Sequence, residues 1–413
     1  MRRRRLGVAV GVVAVVLALL AGLRVALQPA RVTGLLLSTL GDALGLEITA
    51  TGVGEYRLRG NPTLIVRDLV ARQPGAPVPL LQAARVQVAV PWSAVRSRGA
   101  VLDIVAIELD GPRLDLQALQ AWLATRPESD APLPTLRRGL RIRDGVLVGD
   151  GWTLADLDAD IPELREHARL RASFSGRLLA PPTSVAFAAA LSMTHPGNGA
   201  GVGLVGSAAL TRGELHVPAR FTVSGPVQLE GGGLRVVPLR AGISAAVDLD
   251  GEPTAVAVGV HGVLRREDGM LSLRNAGLAL RGGGPVPTLE AAGAVAYRDL
   301  LGLHLQGALA QWPEAWPALP PPLGASASPT QFVVDYGGAP DFQDPVRLRV
   351  DRDAASADAR FRAMDLLAWT QAAPGDTPLP PLQGTASIPA LEIPGALLEG
   401  VEVEFEDPAQ AAP

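Results

Sequence analysis

Along most of this chain polar and apolar residues alternate almost one by one, and the main exception comes first. Leu6 to Leu23, LGVAVGVVAVVLALLAGL, is a run of 18 residues without a charge. At about 1.5 Å rise per residue a helix of this length spans roughly 27 Å, close to the thickness of a bilayer's hydrocarbon core. The run predicts a transmembrane helix carrying Leu6, Val10, Val13, Val16, Leu20 and Leu23. Arg2, Arg3, Arg4 and Arg5 precede it, against only Arg24 and Arg31 behind it, so the charge asymmetry places the N-terminus in the cytoplasm and the bulk of the chain outside it. A cleaved signal peptide is the competing reading. The apolar run is longer than an ordinary signal core, and Gln28-Pro29-Ala30 is not a small-x-small cleavage site, which favours an uncleaved anchor.

Behind the anchor, Leu35, Leu36, Leu37, Leu40 and Leu44 fall near helical spacing and predict a short amphipathic helix over 31–44. From Leu46 the period changes to two. Glu47 to Ala50, Tyr56 to Arg59, Leu64 to Val66, Val86 to Val90 and Val101 to Leu109 read as strands broken by glycine and proline. Leu116, Leu119, Trp122 and Leu123 return to helical spacing, predicting one helix laid on a sheet with Trp122 in the core. Alternation resumes at Leu140 and continues in pieces to Phe405. In its clearest stretch Ile243, Ala245, Val247 and Leu249 share one face, while Ser244, Ala246, Asp248 and Asp250 share the other. Most turns are too short to hold a crossover helix, so the sheet is expected to be mostly antiparallel. Trp312 to Pro322 is the densest in proline and reads as a stiff connection, and 364–371 as a short helix.

These signals predict a mainly β protein with few short helices. Its organisation is an arginine cluster and anchor over 1–28, a β-rich body over 29–310, a Pro-rich connection over 311–330, a further β segment over 331–406 and a polar tail over 407–413. The composition agrees, since 46 glycines and 36 prolines beside 16 aromatic residues suit many short strands and turns.

Composition also removes much chemistry. There is no cysteine, hence no disulfide framework and no thiolate site, and all 37 basic residues are arginine, which excludes a P-loop lysine or a Schiff-base lysine. The net charge of −4 includes the four N-terminal arginines, leaving about −8 on the rest, so nucleic acid is not expected as a partner. The five histidines are scattered outside any metal-binding spacing. Gly201, Gly203 and Gly206 match GxGxxG, but the flanking pattern is strand and not strand-turn-helix. Asp156, Asp158 and Asp160 recur at period two, as on the solvated face of a strand. The expectation is a protein that is not an enzyme and takes no metal and no cofactor.

The apolar strand face therefore carries the question of function. It can bury itself in a closed sandwich, hold lipid chains in an open groove, or face lipid as a barrel, the last being opposed by the few aromatic residues. The anchor, the strand-and-turn run Gly52 to Leu69, the segment Val86 to Leu116 with Gly99 and Gly111-Pro112-Arg113-Leu114, the phrase Leu140-Arg-Ile-Arg-Asp-Gly145-Val-Leu147, and the ending Leu382-Gln-Gly384 to Val401 resemble AsmA-like envelope proteins of Gram-negative bacteria. The resemblance implies an inner-membrane, single-pass protein with an elongated, curled β-sheet in the periplasm, holding lipid acyl chains in an apolar groove and serving outer-membrane assembly or phospholipid transport. Membrane lipids and an envelope protein partner are the expected partners. Groove-lining candidates, from the alternation, are Ile243, Val247, Leu249, Val256, Val258 and Val260. An accessory subunit similar to the N component of type II secretion, acting through protein contacts, is the alternative.

Overall fold

The structure is a computed structural model. It describes residues 45–57, 60–93, 103–125, 135–230, 233–249, 252–316, 318–319, 321–366, 381–393 and 396–406. The expected anchor, the arginines before it and the helix over 31–44 lie outside the described residues. Among the described residues no helix is long and apolar enough to cross a membrane. The chain divides into two compact units between Leu234 and Arg235.

The first unit contains β1 (Glu47–Arg57), β2 (Thr63–Arg72), β3 (Leu81–Ala89), β4 (Asp103–Ile104), β5 (Ala106–Asp110), β6 (Arg113–Asp115) and helix α1 (Leu116–Ala124). It continues with β7 (Thr135–Leu136), β8 (Leu140–Val148), β9 (Thr153–Ile161), β10 (Leu170–Ala180), β11 (Thr183–Met193), β12 (Ala200–Arg212) and β13 (Leu215–Glu230). Strands β1 to β3 and β8 to β13 each pair antiparallel with the next. Between these runs β5 and β6 pair antiparallel with β3 and parallel with β8. A parallel step needs a crossover connection, and α1 supplies it. Strands β4 and β7 form a separate parallel pair.

Helix α1 starts where Asp115 caps it, its carboxylate accepting the Ala118 N–H at 2.8 Å. Leu116, Leu119 and Trp122 occupy one face of the helix and are buried, as their spacing requires. Trp122 is only 3% exposed, a core residue as expected. Together with Val66, Leu69, Leu81, Val86, Ile107 and Leu109 these side chains form the hydrophobic core, which runs from Leu46 to Leu170.

The second unit opens within β14 (Gly233–Leu249) and continues with β15 (Glu252–Glu267), β16 (Met270–Arg281), β17 (Leu289–Tyr297), β18 (Leu301–Leu309) and β19 (Thr330–Gly338). After these come β20 (Pro345–Arg352), β21 (Ala355–Arg362), β22 (Leu382–Ile393) and β23 (Ala396–Phe405). From β15 onward each strand pairs antiparallel with the next. Residues 311–330 join β18 to β19, which are themselves neighbours. Within that connection Trp312 stacks edge-on against Trp316 at 5.0 Å, and the Trp316 indole donates to the Pro285 carbonyl at 2.9 Å.

Several strands are longer than the alternation suggests. The pieces at Leu234 to Val237 and Ile243 to Asp250 belong to one strand, β14, and Met270 to Leu273 extends to Arg281. Strands β17 and β18, rich in alanine and glycine, carry too weak a β signal to stand out in the sequence. Of the helix expected over 364–371, residues 363–366 are helical and the rest lies outside the described residues.

Two substitutions test this packing. Leu119→Ala, at 1% exposure, is expected to cost about 2–5 kcal/mol. Gly206→Val is expected to cost about 1–3 kcal/mol, because a Cβ there would sit 2.4 Å from the Ala188 carbonyl oxygen and 2.7 Å from Phe221 Cζ. Urea unfolding of each variant measures both; a Gly206 variant as stable as the wild type would contradict the close approach.

Candidate functional site

Cross-strand register carries one apolar face across the first unit. Val66, Val86, Leu109, Ile142, Ala159, Phe174, Ala189, Gly206 and Phe221 lie directly opposite one another in turn, from β2 to β13. Directly opposed residues share a face. Val66, Val86 and Leu109 are 5%, 5% and 2% exposed, and Ile142 is 9% exposed. Farther along, Phe174 and Phe221 are only half-buried, as are Leu178, Phe187, Leu191, Leu204 and Val223 around them. Leu116, Leu119 and Trp122 of α1 share one buried cluster with strands from β1 to β10, and farther along the row the phenylalanines are half-buried while Ala189 is 8% exposed. Apart from β4 and β7, the strands of the unit belong to one sheet.

The second unit repeats the pattern. Val260, Leu278, Ala291, Gly307, Phe332, Val350, Ala357, Ala386 and Val403 oppose one another from β15 to β23. Ala291 is buried, while Leu278, Phe332, Val350 and Val403 are half-buried.

Phenylalanine and glycine shape this face together. Phe187 stands opposite Gly176, Phe221 opposite Gly206, Phe332 opposite Gly307 and Phe405 opposite Gly384. At Gly206 and Gly176 an added Cβ would meet the ring itself, at 2.7 and 3.4 Å from Cζ. In these two pairs the ring leans over its neighbour's bare backbone, so the face stays apolar without standing tall. Gly206 therefore serves as a bed for an aromatic ring. Together with Gly201 and Gly203 it lies inside β12, where no helix N-terminus is available for a phosphate.

The groove residues expected from the sequence are distributed as follows. Ile243 is 51% exposed, and Val247 is half-buried two turns of the alternation farther along β14. Leu249 ends that strand, and its side chain lies outside the described residues. Val256, Val258 and Val260 are half-buried on one side of β15, with Val258 and Val260 opposite Leu280 and Leu278. The sequence reading did not single out Phe187, Phe221 or Phe332, because the signal is a glycine in a different strand.

The opposite face carries most of the charged side chains, with Val205 also standing on it at 53% exposure. In the first unit it holds a depression of about 970 Å³ between Arg141, Asp158 and Asp160 on one side and Arg220 on the other, with Ser175 and Ser207 in its floor. Asp160 pairs with Arg141 at 3.4 Å and Asp158 accepts the Asp144 N–H at 3.1 Å, so these carboxylates serve the solvated face as their period implies. Asp156 sits in the left-handed region at φ 52°, where β9 shifts register, and pairs with Arg177 at 3.6 Å. In the second unit His304 bonds Asp335 at 2.6 Å, and Arg347 clamps Asp358 through contacts of 2.8 and 3.2 Å. Among the described residues no three His, Asp or Glu side chains gather as a metal site.

Comparison of the chain with protein-family models, with curated proteins and with solved structures finds no match.

The Arg347 hydrogen bond holds the Asp358 carboxyl below the usual carboxylate range. A lowered pKa contributes stability above the unfolded value of about 3.9, and that contribution is lost as pH falls through the folded value. Arg347→Gln is therefore expected to lower the urea midpoint slightly at neutral pH, with the gap from wild type closing below about pH 4. A gap constant with pH would show that the pair contributes nothing through its charge.

Proposed function

We propose that this chain is a membrane-anchored envelope protein of the AsmA-like type. In this reading the uncovered apolar face holds lipid acyl chains, the sheet curls into an elongated groove around them, and the protein contributes to outer-membrane assembly or phospholipid transport between membranes. It works by binding, not catalysis. The observation that supports the reading most directly is the lower burial of the large side chains along one register row: Leu109, in the core cluster with α1, is 2% exposed, while Phe174 and Phe221 in the same row are only half-buried.

Acyl chains suit such a face for a physical reason. Burying apolar surface gains about 25 cal/mol per Å² whatever its detailed shape, so a shallow strip of valine, leucine and phenylalanine holds methylene chains without directional contacts. The same strip gives a headgroup nothing to bond, which leaves headgroups to the solvent side. The hydrophobic segment Leu6 to Leu23 supplies the membrane attachment in this reading, and Arg2 to Arg5 set its direction.

Photo-crosslinking tests the face. With benzoylphenylalanine at Leu204, on the apolar side, lipid adducts are expected from living cells; with the same probe at Ser207, on the polar side, they are not. Equal adducts at both positions, or none at Leu204, would overturn the reading. A charge separates the uncovered strip from the covered core: Leu204→Asp is expected to keep the β circular dichroism and lose copurified lipid, whereas Leu109→Asp is expected to unfold the protein.

Topology is tested separately. A reporter active only in the cytoplasm, fused after Pro413, is expected to be silent, and a mature protein beginning near Arg31 would reveal a cleaved signal in place of the anchor.

A further inference from the structure

Strand β23 pairs with β22 on one side, and among the described residues no strand pairs with its other side. Strand β1 also has a single partner, but its register shifts between Gly52 and Glu55, a bulge of the kind that blunts an edge. From Val401 to Phe405, β23 is regular: its register against β22 keeps step, and Gly400, at φ 65°, lies just before it. No proline, lysine or arginine interrupts this stretch. It presents open backbone donors and acceptors over a length of roughly 17 Å.

Side chains sort sharply on this edge. Val401, Val403 and Phe405 continue the apolar face, while Glu402, Glu404 and Glu406 are exposed on the other side. Across β22, Glu402 faces Ser387 and Glu404 faces Thr385, so neither has a cation beside it, and none of the three glutamates makes an ion pair among the described residues. Like charges directly opposite one another destabilise a strand pair, whereas opposite charges stabilise it. An antiparallel pair of two β23 edges would set glutamate against glutamate. The acidic row therefore excludes a second copy at this edge and selects a basic strand.

We infer that β23 is a docking edge for an extended segment of another polypeptide, in which arginine or lysine alternates with apolar residues. The basic side chains lie beside Glu402, Glu404 and Glu406, the apolar ones extend the face of Val401, Val403 and Phe405, and the backbone adds one strand to the sheet. This goes beyond lipid binding, since it uses the edge of the sheet and not its face, and it stands if that reading falls.

The test uses the full chain in nanodiscs of zwitterionic lipid and two peptides of about ten residues, one alternating arginine with valine and one alternating glutamate with valine. The arginine peptide is expected to bind roughly tenfold more tightly or better, with a steep loss of affinity at high salt. Hydrogen exchange should show new protection at the amides of Val401 to Phe405. In a double variant, Glu402→Lys with Glu404→Lys, unchanged circular dichroism and an inverted peptide preference are expected. Binding of both peptides alike, protection elsewhere than β23, no binding at all, or self-association of the wild type through β23 would each overturn the proposal.

Discussion

A β-sheet with an apolar face must cover it, and among the described residues the core that includes α1 extends over only part of that face. The core joins α1 to strands from β1 to β10 and also takes in Ile104, Leu136 and Leu164. Leu119 and Trp122 belong to the same buried cluster as Val66, Val86, Ile107 and Leu109, where Ile107 and Leu109 fall to 1–2% exposure. Farther along, the alternation continues strand after strand with the same apolar side, where Ala189 and Ala291 are buried and larger side chains such as Phe174, Phe221 and Phe332 are half-buried. The same residue types are core in one place and surface in another because of what lies above them.

Two local devices make such a sheet tolerable. One is the topology: the parallel step between β5, β6 and β8 inserts α1 where the chain needs an anchor of buried surface, and the antiparallel run that follows needs only tight turns. The other is the pairing of phenylalanine with glycine across strands, at Phe187 and Gly176 or Phe221 and Gly206, which levels the face and shields backbone. A face built this way is apolar and low. The polar side, by contrast, is held in place by exposed pairs such as Arg347 with Asp358 and His304 with Asp335, which add order but little energy.

Face and edge divide the chemistry. The face offers apolar area without direction. The edge of β23 offers direction, with backbone hydrogen bonds at fixed spacing and a row of glutamates that reads charge. A protein carrying both can hold one kind of partner by burial and another by register.

The sequence by itself determined the period, and the period determined much. Alternation such as Ile243 to Leu249 specified strands, short turns specified antiparallel neighbours, and Leu116, Leu119 and Trp122 specified one helix on the sheet, because each depends only on residues a few positions apart. The absence of cysteine and lysine removed whole classes of chemistry for the same local reason. What only the tertiary structure decided is which parts of the apolar face are covered. Val66 and Phe221 belong to one row yet differ in burial, and nothing near either residue in sequence says so, since burial depends on which distant elements join the core cluster. Strands β17 and β18 also emerged only in the fold, where the neighbouring strands supply the packing that alanine and glycine lack. The bed that Gly206 forms for Phe221 was illegible for a related reason: it depends on register between two strands, and register is a property of the assembled sheet.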